Sequence, residues 1–270
     1  MSSVAEIVES RELIANLTLR ELRGRYKRSV LGWTWSLLNP LSTVVIYSIV
    51  FGVLLHGDPP TGNPSGTHNF AVWLLCGLLP WNFFSGGLNG AMGVLTGNAG
   101  LIRKVYFPRE DLVLSFVVSM LVTFLIEMGV LLVILVIFGN NIWPWLPLVA
   151  VLMLVQTVFV TGFALALSVL NVYFRDIQYL VGAILLQAWF FLTPIVYKID
   201  LVNAEASKPV ARLYTVNPMV RYVETYRDLL YDNRGPTLVN CLYLTGTAAI
   251  VFVIGMAIFR RYEARLAEEL

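Results

Sequence analysis

Glu127 is the residue in this chain whose surroundings most invite chemistry. Its carboxyl group interrupts an otherwise apolar run that follows Asp111. An ionised side chain at bilayer depth costs about 3 kcal/mol by insertion measurements, so such a group usually faces a partner or a wet cavity and marks a pathway. The plainer alternative is a neutral acid hydrogen-bonded to a neighbouring helix. That alternative is favoured because no intramembrane Lys, Arg or His is in view as a relay partner. His56 and His68 flank a turn-rich stretch with no carboxylate or cysteine at metal-ligand spacing, and Asp58 reads as a turn residue rather than half of a dyad. Cys76 and Cys241 lie in apolar text without a CxxC and read as small buried hydrophobes. No GxxxxGK[ST] loop exists to cradle nucleotide phosphates, so this chain cannot consume ATP by itself. These groups do not converge on an active site.

The elements that must carry these residues are dictated by hydrophobicity. Hydrophobic residues make up 57% of the chain, charged residues 13%, and the mean hydropathy is +0.73. Soluble domains carry about 25% charged residues, so lipid must be the solvent for most of this surface. Six segments are long enough to cross: roughly 33–56, 69–96, 111–138, 145–170, 179–197 and 238–259. The second holds Pro80 and then Gly86, Gly87, Gly90 and Gly93, which fits either a small-residue packing face or a broken, re-entrant segment. Basic residues set the orientation. Arg11, Arg20, Arg23, Arg25, Lys27 and Arg28 precede the first span; Arg103, Lys104, Arg109, Arg175, Arg260, Arg261 and Arg265 fall on the same side. Both termini are therefore expected in the cytoplasm. The connector 198–237 breaks the rule, since parity puts it outside although it holds Lys198, Lys208, Arg212, Arg221, Arg227 and Arg234.

Three amphipathic stretches stand out between the spans. Residues 4–28 read as a helix with Val4, Val8, Ala15, Leu19, Leu22 and Tyr26 on one face and arginines crowding its end. A basic amphipathic helix before a span belongs in the cytoplasmic interface, and nucleic acid is an improbable partner for it. Asn217-Pro218 is a helix start, and Met219, Tyr222, Val223, Tyr226 and Leu230 recur at helical spacing, so 218–231 is expected to be helical. It lies either on the outer leaflet or as a re-entrant hairpin. The connector 98–110 opens with a glycine turn and runs as a short helix that stops at Pro108, presenting Leu101, Ile102, Val105, Tyr106 and Phe107 to a soluble partner or to headgroups. Trp33, Trp35, Trp73, Trp81, Trp143, Trp145 and Trp189 read mostly as an interfacial belt, a minority being suited to stacking on sugar rings in a conduit.

The stretches from Arg25 to Pro40, Leu101 to Glu110, Tyr173 to Asp176 and Phe191 to Tyr197 resemble the permease subunits of type-2 ABC transporters that export polysaccharides such as O-antigen, teichoic acid and capsule. Among subtypes the chain looks similar to exporters of lipid-linked galactan. The resemblance implies an all-α polytopic membrane protein: six transmembrane helices, an N-terminal amphipathic interfacial helix over 1–32, a transmembrane domain over 33–260, short re-entrant helices between spans five and six, and a cytoplasmic tail from 261. It implies a homodimer with two copies of a separate ATPase chain, which would hold the ATP and Mg, with no cofactor on this chain. Leu101, Ile102, Arg103, Lys104, Val105, Tyr106, Phe107 and Pro108 would form the helix that couples to the ATPase. Arg175 and Asp176 match the family's pair in the second cytoplasmic loop, with a plain solvated pair as the alternative. Arg25, Lys27 and Arg28 would attract the diphosphate of a polyprenyl-linked glycan in the cytoplasmic membrane, or serve only as orientation signals. The rival readings are a drug or small-lipid exporter of the same build and an intramembrane transferase on lipid-linked sugars, for which Glu127 alone makes a poor active site.

Overall fold

The computed structural model describes residues 10–25, 32–47, 49–50, 60–199 and 214–270. Among them every regular element is helical. α1 (Arg11–Arg25) leads to α2 (Trp35–Tyr47), α3 (Phe70–Gly97), α4 (Ala99–Lys104), α5 (Glu110–Ile137) and α6 (Leu146–Tyr173). Then come α7 (Ile177–Phe191), α8 (Pro218–Arg227, prolonged as a π-helix over Asp228–Asp232), α9 (Leu238–Glu263) and α10 (Leu266–Glu269). Among the described residues four helices are long and apolar enough to cross a membrane: α3, α5, α6 with its short leading turn, and α9. They match the second, third, fourth and sixth expected spans. Residues 51–56 of the first span lie outside the described residues, as do His56 and Asp58.

α3 is the axis of the bundle, buried along nearly its whole length between α5, α6 and α8. It is continuous through Pro80, so the broken alternative for this segment is set aside. A cyclic residue forfeits one backbone bond and strains one turn; dense packing around α3 holds the helix together regardless. The glycines behave as a packing face: added Cβ atoms would strike Val160 from Gly87, Phe116 from Gly90 and Met120 from Gly86. α6 and α9 approach closest of all, where a Cβ on Gly162 would lie 2.5 Å from the Val251 carbonyl oxygen and one on Gly255 would run into Gly162.

α7 departs from expectation. Its 15 residues end at Phe191 rather than at Tyr197 and reach about 22 Å, short of the ~30 Å of hydrocarbon. Pro194 explains the stop, because proline lacks an N–H and disfavours helical backbone in the preceding residue. α1 runs lengthwise and parallel on α5: Ser10 bonds Asp111, Thr18 donates to the Ser115 carbonyl, and Arg25 donates to Thr123 Oγ1 at 2.8 Å. Its buried residues are Leu17, Thr18 and Leu22. Of the expected face, Leu22 is inside while Ala15 and Leu19 stay exposed on the groove between α1 and α5; Val4, Val8 and Tyr26 lie outside the described residues.

The connectors sort into two ends. At the upper end Tyr231 Oη donates to the Pro60 carbonyl (2.6 Å), and Asn140 donates to the Leu230 carbonyl (2.9 Å). Residues 60–69, 139–142 and 228–237 therefore meet. At the lower end Arg20 donates to Asn98 Oδ1 (2.7 Å) and Tyr173 Oη to the Tyr262 carbonyl (2.8 Å). The connector that broke the charge rule thus sits with the basic-free connectors.

Candidate functional site

The lower end presents an elbow. Asn98 closes α3 and opens α4: its backbone N–H reaches Leu95 O, its amide donates to the Val94 carbonyl at 2.8 Å, and its carbonyl accepts from Arg20. α4 covers only Ala99–Lys104, and Val105 is already extended at φ −131°. The expected helix to Pro108 is therefore corrected: Pro108 cannot donate to Lys104 and keeps Phe107 out of helical backbone. The outward face is corrected as well. Ile102 is buried and Leu101 and Phe107 are packed against the core, whereas Tyr106 is 102% exposed and Val105 53%. Arg103 and Lys104 are exposed beside them, and Pro108 is half-buried. The strand-like tip 105–106 is thus the protruding part. Below it the first turn of α5 buries Glu110 and Asp111, where acidic groups suit a helix N-terminus.

Of the basic cluster, Arg25 is described, and Lys27 and Arg28 lie outside the described residues. Arg25 does not hang free: besides its bond to Thr123 Oγ1, one turn before Glu127, it touches Met120 Sδ at 2.9 Å. α1 lies far from α5 in sequence but against it in space. Arg175 and Asp176 are both exposed at the bend between α6 and α7, where the Asp176 carbonyl accepts the N–H groups of Tyr179 and Leu180.

The upper end is built around α8. Asn217 caps it by accepting from Met219 N at 3.0 Å, as its position before Pro218 predicts. Met219, Tyr222, Val223, Tyr226 and Leu230 are all at 0% exposure. Of the two readings offered for 218–231, the surface helix is the one excluded, because α8 is enclosed by α3 and α6. Its foot is deep: Trp189 Nε1 donates to Asn217 Oδ1 at 2.8 Å, and the Asn217 amide donates to the Leu192 carbonyl. Tyr226 Oη donates to Gln156 Oε1 at 3.0 Å, and Gln156 donates in turn to the Pro80 carbonyl at 2.8 Å.

Arg227 is the residue that sequence reasoning missed, having counted it only as a loop charge. It is 3% exposed. Its guanidinium lies 3.7 Å from the Trp73 ring centre, donates to the Pro194 and Ile195 carbonyls at 2.6 and 2.8 Å, and pairs with Glu224 at 2.9 Å. Gly77 makes the room, for a Cβ there would stand 3.1 Å from Arg227 Nη2 and 3.0 Å from Val223. One sequence signal was present: Arg227 follows Val223 by four residues and so sits on the apolar face of α8. Arg221 and Arg234 are also engaged, the first with Asn240 and the Tyr243 ring, the second with Asp228 and Asp232. Burial pushes the Asp228 carboxyl up and the Arg234 bond opposes it. Arginines spent on such internal pairing no longer act as free topology signals.

The tryptophans divide. Trp73 and Trp81 are buried, Trp81 meets Phe84 and Phe190, and Trp189 meets Phe84 and Phe163. Trp35 and Trp143 are exposed. The belt reading is therefore corrected for Trp73 and Trp81, which fill the core, while Trp189 is half-buried against it. Beside Trp189 an apolar recess of about 460 Å³ opens between Ile184, Leu185, Ala188, Leu192, Val216 and Pro218.

Known proteins are similar to this chain in sequence over nearly its whole length. The chain is 31% identical over 269 residues to an O-antigen export system permease protein, RfbA, of Myxococcus xanthus, covering 99% of this chain and 98% of that one. It is 31% identical over 262 residues to the RfbA of Klebsiella pneumoniae, covering 95% and 94%. It is 27% identical over 256 residues to the polysialic acid transport protein KpsM of Escherichia coli, covering 93% of each. The family model for the ABC-2 type transporter matches residues 12–231. With several apolar helices long enough to cross and a match across most of its length, this multi-pass membrane protein belongs to the ABC-2 type transporter family.

Proposed function

We propose that the chain is the membrane subunit of an ATP-driven exporter that moves a lipid-linked polysaccharide, carried on a polyprenyl diphosphate, out across the cytoplasmic membrane. Similarity over almost the full length to permeases named for O-antigen export is the observation that carries this reading. In it the lower end is cytoplasmic, the chain crosses six times, and both termini lie inside. α2 makes the first crossing with the residues that follow it. α7 and α8 together make up the fifth crossing and its outward return. Two copies pair, and each offers its elbow, tipped by Val105 and Tyr106, to a separate ATPase chain that holds the ATP and Mg. ATP-driven closure of the ATPases pushes the elbows, and the spans rearrange to pass lipid and glycan along the interface between copies. Arg25, Lys27 and Arg28 draw the diphosphate to the inner mouth through charge.

The test is co-purification. Expressed with its cognate ATPase, the chain is expected to bring that subunit down in equal amount and to retain a polyprenyl diphosphate bearing sugar, identified by mass spectrometry. Tyr106→Asp is expected to release the ATPase without disturbing insertion. Charge reversal at Arg25 and Lys27 is expected to lower surface glycan in correctly inserted protein. A chain that binds no ATPase, or that retains only small drugs or phospholipid, would sink the reading.

A further inference from the structure

The elbow is braced from a direction that its own sequence does not reveal. α9 ends at Glu263, the backbone bends at Ala264 and Arg265, and α10 folds back onto α4 and α6. Leu266 is at 0% exposure, and α10, which carries it, contacts α4, whose buried residue is Ile102. Leu270 packs on the apolar core too. On the far side of the elbow Arg109 donates to the Glu263 carbonyl. Just above, Tyr173 and Tyr262 stack obliquely with ring centres 5.3 Å apart, and the Tyr173 hydroxyl holds the Tyr262 carbonyl. Residues 262–270 therefore touch both shoulders of the elbow and the last turn of α6.

This bracing differs from the elbow's other attachment. Toward α1 the link runs through the exposed Arg20, a flexible side chain bonded to Asn98. Toward α9 it runs through buried packing and backbone acceptors, which transmit displacement with little slack. Behind them stands the α6–α9 pair, whose backbones touch at Gly162 and Gly255.

We propose that residues 262–270 are a positioning strut, which makes the elbow, α9 and α6 move as one body when the partner ATPase pushes. Leu266, Arg109 and the Tyr173–Tyr262 pair are its positioning residues. The inference rests on the docking of an ATPase at the elbow, and adds that the push enters α9 and α6 rather than α1.

The test uses the full permease–ATPase complex in lipid nanodiscs. Nitroxide labels are placed at Arg103→Cys and Arg265→Cys, both exposed sites, in a Cys241→Ser background, Cys76 being buried. The inter-label distance is expected to be the same without nucleotide and with ATP trapped by vanadate. A shift between the two states in otherwise wild-type protein overturns the strut. Leu266→Ala is expected to make the distance nucleotide-dependent, and Leu266→Met, which keeps the buried volume, to restore constancy; equal behaviour of the two overturns it. Should Leu266→Ala fail to insert, Arg109→Gln removes the other shoulder and serves in its place. Either loosened variant is expected to retain its ATPase and hydrolyse ATP, while surface carbohydrate exported per ATP falls about three- to ten-fold. Parallel loss of hydrolysis and export overturns the proposal. Cross-linking of Tyr106→Cys to the ATPase separates the two levels: without it the docking reading falls and takes the strut with it, whereas with it only the strut is at stake.

Discussion

The two ends of this molecule are finished to different degrees. At the upper end three connectors are bonded to one another around a buried arginine, and Tyr222, Tyr226 and Tyr231 are all sealed from solvent. At the lower end Tyr106, an aromatic with about as much surface as it can show, is left in the open. Burial of such a ring stabilises by about 2 kcal/mol, so leaving it out argues for a partner rather than for folding. A single chain closes its own upper end and leaves its lower end to be completed.

That contrast can be broken by mutation, and the variants rank by expected cost. Arg227→Ala strips two carbonyls, a carboxylate and an aromatic face of their donor, and is expected to cost roughly 3 kcal/mol or more. Denaturant titration in detergent would measure it, and Cys76, now buried beside Arg227, should become reactive to a maleimide. If Cys76 stayed protected, the sealed upper end would not depend on this arginine. Gly162→Val, midway between the ends, drives a side chain into the Val251 carbonyl and is expected to cost about 2–3 kcal/mol by overpacking. Thermal unfolding unchanged by this variant would refute the close α6–α9 crossing. Asn217→Ala removes the cap at the foot of α8 and is expected to cost about 1 kcal/mol. Tyr106→Ser is expected to leave stability within ~0.5 kcal/mol, as exposed sites do, yet to lose the ATPase. A Tyr106 variant that destabilised as Arg227→Ala does would erase the distinction between the ends.

What could be read from sequence follows the range of the interactions. The cap at Asn217 and the apolar repeat of α8 are local and came out as expected. The long apolar helices were equally plain, because length and composition suffice for them. Burial direction was not. A helix apolar on every side gives no sign of which face meets protein, so the buried Trp73 and Trp81 could not be told from tryptophans of an interfacial belt. The same limit hid Arg227, whose partners Trp73, Pro194 and Ile195 come from distant parts of the chain. It also hid the bond from Arg25 to Thr123. At the elbow the residues were legible but their orientation was not, since the face of a six-residue helix depends on what α10 and α3 place beside it.

Gly77 has a consequence for how such a molecule is tuned. The guanidinium of Arg227 crowds the space a methyl group would claim: a Cβ added at Gly77 would stand only 3.1 Å from Nη2, closer than ordinary contact. Size at this one position is therefore a dial: alanine would nudge the arginine off its tryptophan and valine would evict it. A graded series of side chains at Gly77 would adjust how firmly Arg227 holds the upper end together while leaving every charged group in the sequence as it is.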